Sequence, residues 1–267
     1  MGQSDVSGWP ILDGSTRGAE SEEGTISSIV WLRRDLRRAD LPLLAAARDA
    51  VGEGGEVVVA FVLDPAFYDG AGAGRQAWLA ANLLALRDRF EGRLTLLAGD
   101  PATVIPELAA RCGATSVHAS TDTETQGAAR DARVREALAA RGVEWVETGS
   151  PYAVTPGRVR TQTGGPYSVF TPFAKAWRAH GWRGPAVEPP GLRLAPAMGD
   201  DAVWSRLEQA TQAPGLPALP EAGEEAAIRR WEEFLDGGLE SYASRRDRAD
   251  LDGTSMLSPY LAFGVLH

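Results

Sequence analysis

Glu56-Val-Val-Val-Ala-Phe-Val-Leu-Asp64 decides the fold. The apolar run between these two carboxylates is rich in β-branched residues and too short for a core helix, so it reads as a strand. A strand this continuously apolar belongs in a parallel sheet covered on both faces. The flanks agree. A strand reads Ser28-Ile-Val-Trp-Leu-Arg33 upstream, and residues 41–51 between the two read as a helix. Downstream, residues 74–90 place Trp78, Leu79, Leu83, Leu86 and Phe90 near helical spacing. Residues 94–98 are a third strand, and Pro101 opens a helix that ends near Gly113. Residues 116–120 are a fourth strand, 125–141 a helix and 143–147 a fifth strand. Such alternation implies right-handed β-α-β crossovers. The expected fold class is α/β, a five-stranded parallel Rossmann-like sheet with flanking helices over residues 27–150.

Composition excludes several classes of protein. Apolar residues make up 44% of the 267, enough for a core. No apolar run approaches the roughly 20 residues of a membrane span, so no membrane association is expected. Residues 1–26 are rich in Gly, Ser and Glu without a basic-then-apolar signal pattern, and read as a disordered leader. The single cysteine, Cys112, excludes an internal disulfide and suits a reducing, cytoplasmic location. It reads as a small buried apolar residue. His118, His180 and His267 lack metal-ligand spacing, so no metal site is expected. A net charge of −9 argues against a general nucleic-acid binder but leaves room for a local basic face at Arg245, Arg246 and Arg248.

No glycine-rich phosphate loop follows the first strand, and no P-loop pattern occurs. The turn there is Arg33-Arg-Asp-Leu-Arg-Arg-Ala-Asp40. It reads either as a solvated loop held by its own ion pairs or as a site at the carboxyl ends of the strands, where open α/β sheets bind ligands. In residues 151–182, Thr171-Pro172 reads as a helix start with Phe173 and Trp177 on one face, chiefly for aromatic packing. Residues 184–223 hold many prolines and little periodicity, and read as an interdomain linker. Residues 224–267 begin a helical unit, with Trp231, Phe234 and Leu235 on a helix face.

Two motifs close the chain: Tyr242-Ala-Ser-Arg-Arg246-Asp247, then Thr254-Ser-Met-Leu-Ser258-Pro. Tyr242 and Arg246, four apart, share one helical face. Ser258-Pro259 reads as an N-cap followed by proline at the first helical position. Hydroxyls, free backbone N–H groups and a helix dipole suit a phosphate. An ordinary capped helix beside a solvated arginine run fits the same residues.

The stretch 238–264 resembles the flavin-binding segment of the DNA photolyase/cryptochrome family, whose pattern is Tyr-x-x-x-Arg-Asp followed by Thr-Ser-x-Leu-Ser. Residues 30–40 resemble the opening of that family's antenna domain, departing at Leu41-Pro42, where an Asn-containing turn is common. Phe170-Thr-Pro-Phe173 resembles the connector after it. The resemblance spans residues 28–267 in order. It implies an α-helical FAD-binding domain beginning at residue 224, after a connector and linker over 151–223. It implies that Tyr242 contacts FAD, that Thr254, Ser255, Met256, Leu257 and Ser258 surround its phosphates and ribityl oxygens, and that Arg246 contacts the DNA backbone. An antenna pigment, a reduced folate or a deazaflavin, is a further implied cofactor. The implied activity is that of a deoxyribodipyrimidine photo-lyase acting on damaged DNA, with a monomer expected. The alternatives are a cryptochrome-type blue-light receptor and a non-catalytic α/β pigment- or nucleotide-binding module. The resemblance places the catalytic groups beyond His267. The 267-residue chain is therefore expected to fold in its α/β part, with a tail that lacks packing partners, holds no stable flavin and repairs nothing.

Overall fold

The computed structural model describes residues 27–267; the expected leader over 1–26 lies outside them. Five parallel strands form one sheet, in the order β3-β2-β1-β4-β5. They are β1 Ser27–Leu32, β2 Glu56–Leu63, β3 Leu94–Ala98, β4 Ala114–Ala119 and β5 Glu144–Glu147. β1 is central, with Ile29 opposite both Val58 and Val117.

The pleat of β1 divides the core. Val30 and Leu32 face one side, with Leu43, Leu44 and Ala47 of α1 (Pro42–Val51) and Trp78, Leu83 and Leu86 of α3 (Ala73–Arg89). Ile29 and Trp31 face the other, with Ile105 and Leu108 of α4 (Pro101–Cys112) and Val134 and Leu138 of α5 (Thr125–Ala139). This period-2 split is why β1 and β2 carry no polar face. A short α2 (Pro65–Tyr68) and α4 each begin as Asp-Pro: Asp64 accepts from Ala66 N at 3.0 Å and Asp100 from Ala102 N at 3.1 Å. The aspartate fills an orphan donor while proline lacks the donor that would go unpaired.

Several expectations need correction. The expected linker carries α7 (Asp201–Thr211), whose Val203, Trp204 and Leu207 are buried beside α3 and β3. Before it, Val57 N donates to Arg193 O at 2.8 Å and Ala195 N to Val57 O at 3.0 Å, extending the sheet at its foot. Three apolar residues on one face are too few to show as periodicity amid prolines. Helix α6 (Phe170–His180) buries none of its residues; Phe173 meets Tyr167 at 6.2 Å and Trp177 stacks on Trp182 at 4.8 Å, so its aromatic packing is local. Cys112 is half-buried rather than buried, and burial raises its thiol pKa.

The C-terminal segment has packing partners, contrary to expectation. It comprises α8 (Glu224–Glu233), a π-turn at Phe234–Gly238, α9 (Tyr242–Arg245) and α10 (Ser258–Phe263). Ala226, Ala227, Leu257, Tyr260 and Val265 join the first core cluster. The Tyr260 ring meets the Trp78 ring edge-on at 5.2 Å, and its hydroxyl donates to Glu221 O at 2.7 Å. Gly264 closes the contact: its φ is +65°, and a Cβ there would lie 1.9 Å from Arg34 O, so only glycine fits. On the α8 face, Phe234 is buried while Trp231 and Leu235 are exposed.

Candidate functional site

The strand order reverses at β1, between β2 and β4, and a crevice opens at the carboxyl ends there, as the topology requires. A cleft of about 570 Å³ is lined by Trp31, Arg33, Phe67, Gln76, Arg130 and Phe263 among others. Its floor is an arginine–aspartate lattice. Arg33 Nη1 donates to Asp131 Oδ1 at 2.8 Å, and Arg33 Nη2 donates to Ser120 O. Arg130 Nη2 reaches Asp131 at 2.8 Å and Asp122 at 3.1 Å. The guanidinium carbons of Arg33 and Arg130 lie 4.6 and 5.1 Å from the Trp31 ring centroid, close enough for cation–π attraction. Trp31 Nε1 and Arg33 Nε are buried with no hydrogen-bond partner among the described residues. Burial lowers the Arg33 pKa against the raising pull of Asp131 and Asp35.

The turn after β1 is therefore not a solvated loop. Asp35 is 1% exposed and accepts from Arg33 N at 2.7 Å and Ser120 Oγ at 2.8 Å. Arg37, also buried, donates to Gly264 O at 3.1 Å and Asp40 O at 3.0 Å. The Glu224 carboxylate takes the backbone N–H groups of Arg38 and Ala39 at 3.0 and 2.9 Å. The loop thus joins the strand-end cleft to the C-terminal segment.

That segment contains the residues singled out in the sequence. Tyr242 stands edge-on to Phe234 at 5.7 Å, and Arg246 N bonds Tyr242 O at 2.9 Å, so the two do share one helical turn. Arg246 is exposed, and among the described residues its side chain pairs only with the adjacent Asp247, at 3.6 Å. Arg248 pairs with Asp250 at 2.5 Å, so the basic face is partly neutralised. Residues 254–258 form a turn in which Leu257 is buried and Met256 is exposed with φ +54°. Leu257, not Ser258, stands at the cap of α10; Ser258 and Pro259 are its first two helical residues, a one-residue shift from the sequence reading. The hydroxyls of Thr254, Ser255 and Ser258, and the backbone N–H groups of Ser255 and Met256, have no hydrogen-bond partner among the described residues. From α8, Arg230 holds the back of this turn: Nε donates to Ser255 O at 3.0 Å, and Nη2 to Thr254 O at 3.4 Å and Asp252 Oδ1 at 3.3 Å.

Sequence reasoning missed Arg130, Asp131, Glu224 and Arg230. Each acts on a partner distant in the chain, and each sits on a helix where an exposed charge is the ordinary reading. The strand-end rule was the one available signal, and it pointed to the cleft without naming α5. Among the described residues, no group of three His, Cys, Asp or Glu could hold a metal, and no helix is long and apolar enough to cross a membrane.

The five-stranded doubly wound sheet, with its cleft at the carboxyl ends of the strands, places the chain in the Rossmann-like α/β class. The DNA photolyase family model matches residues 28–191, and the chain belongs to that family. It is 34% identical over 252 residues to the deoxyribodipyrimidine photo-lyase of Synechococcus sp., covering 89% of this chain and 51% of the relative. A class III photolyase from Agrobacterium tumefaciens superposes with a TM-score of 0.72 at 30% identity, over 93% of this chain and 52% of that one. A cryptochrome from Synechocystis sp. superposes with a TM-score of 0.75 at 20% identity, over 92% and 54%, a likeness of fold. The chain spans about half the length of the curated photo-lyases it matches.

Proposed function

We propose that this chain supplies the pigment-bearing α/β domain, residues 27–150, and the opening of the flavin-binding domain, residues 224–267, of a light-driven enzyme that repairs cyclobutane pyrimidine dimers in DNA. The observation that carries the reading is the turn at 254–258, where the family's flavin signature coincides with unpartnered hydroxyl and N–H donors. Hydroxyl and backbone N–H donors of this kind suit phosphate oxygens. Reduced FAD, when bound, supplies the electron that light drives into the dimer. Thr254, Ser255 and Ser258 hold its diphosphate, Met256 and Leu257 shape the turn, and Tyr242 borders the flavin from α9. Arg246, exposed beside Tyr242, takes a DNA phosphate, a contact that adds affinity without sequence preference. The cleft lined by Phe67, Gln76, Arg130 and Phe263 holds the antenna pigment, a ring system of the reduced-folate or deazaflavin kind, above a floor that Trp31 and Arg33 close from beneath.

A graft tests this. With this chain in place of the matching half of the Synechococcus photo-lyase, the chimera should purify with FAD and remove cyclobutane dimers from DNA in blue light. A folded chimera without flavin would overturn the reading. Stoichiometric flavin with no dimer loss in light would replace repair with the photoreceptor role.

A further inference from the structure

We propose that Arg230 is the positioning residue of the phosphate-binding turn: it sets the direction in which the peptide N–H groups of Ser255 and Met256 point. The inference rests on the flavin reading of that turn. A trans peptide holds its C=O and N–H antiparallel. The guanidinium takes Thr254 O at 3.4 Å and Ser255 O at 3.0 Å. The N–H groups of the same two peptide planes, those of Ser255 and Met256, are thereby turned to the opposite side, where no described residue accepts them. The planar fork suits the task, since one rigid group fixes two successive carbonyls at once.

Orientation rather than charge is the role the geometry supports. Asp252 lies 3.3 Å from Nη2 and Glu233 3.7 Å from Nη1, so carboxylates already balance the guanidinium. It sits behind the peptide planes, on the side away from the free donors. Met256 adopts a left-handed backbone that a methionine does not favour alone, with φ +54°. Glycine closes the other flank: a Cβ at Gly253 would meet the Arg245 Cβ at 2.6 Å, so the turn is pressed against the end of α9 as well as held by α8.

The test uses the 267-residue chain and ADP as the diphosphate probe, followed through backbone amide resonances, with adenosine as the control. In the parent, the Ser255 and Met256 amides should shift with ADP and not with adenosine. Arg230→Gln should weaken the ADP response about tenfold, the worth of one charge-assisted hydrogen bond. Arg230→Lys, which keeps the charge and loses the fork, should fall between the two and covers the case in which Gln loosens the segment. A merely structural role would move resonances throughout 224–267 and leave the ADP affinity of the Lys variant equal to the parent's; that result overturns the inference. Parental affinity in Arg230→Gln, alongside weakened binding in Thr254→Ala/Ser258→Ala, also overturns it and leaves the flavin reading standing. No ADP shift at 254–258 in the folded parent removes the flavin reading and the inference together.

Discussion

The turn after β1 and the turn before α10 are both crowded with hydrogen-bonding groups, and they differ in where those groups go. In residues 33–40 the partners are internal: Asp35 takes Arg33 N and Ser120 Oγ, Glu224 takes two backbone N–H groups, and Leu36 N reaches Phe263 O at 3.2 Å. In residues 254–258 carbonyls are engaged, those of Thr254 and Ser255 by Arg230 and that of Leu257 by Leu261 N, while the hydroxyls and the N–H groups of Ser255 and Met256 have no partner among the described residues. Although the buried Nε atoms of Arg33 and Arg37 stay unpaired among the described residues, a polar loop whose other groups are paired from within is architecture, because removing a member strands its partners in a dry interior. A loop whose donors stay open, with its backbone held from behind, is arranged for a ligand.

Substitutions separate the two. The largest effect is expected from Thr254→Ala with Ser258→Ala in the graft. Each hydroxyl bond to a charged group contributes about 1.5–3 kcal/mol, so losing both should lower FAD affinity at least about a hundredfold, read by equilibrium dialysis. Unfolding free energy should stay within about 0.5 kcal/mol of the parent, as for open surface positions. Unchanged flavin content would move the phosphate site elsewhere.

Asp35→Ala should do the converse. It removes a buried carboxylate between Arg33 and Ser120 and should cost about 3 kcal/mol of stability, seen as a lower urea midpoint at unchanged slope. A loss under about 1 kcal/mol would mean that the β1 loop is not saturated from within.

A third effect is carried by the sheet itself. His118 is 1% exposed on β4, its Nε2 2.9 Å from Ser116 Oγ, which lies 2.7 Å from Ser28 Oγ. Burial lowers its pKa from 6.5 to about 4. The unfolded chain therefore binds a proton that the folded chain refuses between those values. The stability due to the neutral ring is complete above pH 6.5 and is lost as pH falls toward 4, by up to about 1.4 kcal/mol per pH unit. His118→Gln should flatten that part of the stability–pH curve; parallel curves would show that the ring does not titrate as placed.

The smallest effect belongs to Arg246. In the graft, Arg246→Ala should lower affinity for damaged and undamaged duplex alike, with the slope of log affinity against log salt shallower by about 0.9. An identical slope would leave Arg246 as the ion-pair partner of Asp247.

The α/β half was legible because its signals are local and repeated. The run Val57–Leu63 is apolar at every position, and Pro101 announces a helix start, while the one-turn α2 behind Asp64-Pro65 went unread because four residues show no period. Helix α7 was not legible, since Val203, Trp204 and Leu207 supply one short stripe inside a proline-rich stretch. The packing of the C-terminal segment was missed for another reason. Tyr260 finds Trp78, and Gly264 finds Arg34, across more than half the chain. No window of sequence contains both members of such a pair.

Sequence alone determined the strand and helix periods, the parallel sheet they require and the Tyr242–Ser258 signature. These depend on neighbours within a turn or a strand, where spacing states the geometry. Only the tertiary structure decided that Arg33, Asp35 and Arg37 are interior groups while Thr254, Ser255 and Ser258 remain open. Both sets are polar residues in turns, and burial and pairing depend on which distant elements close over them.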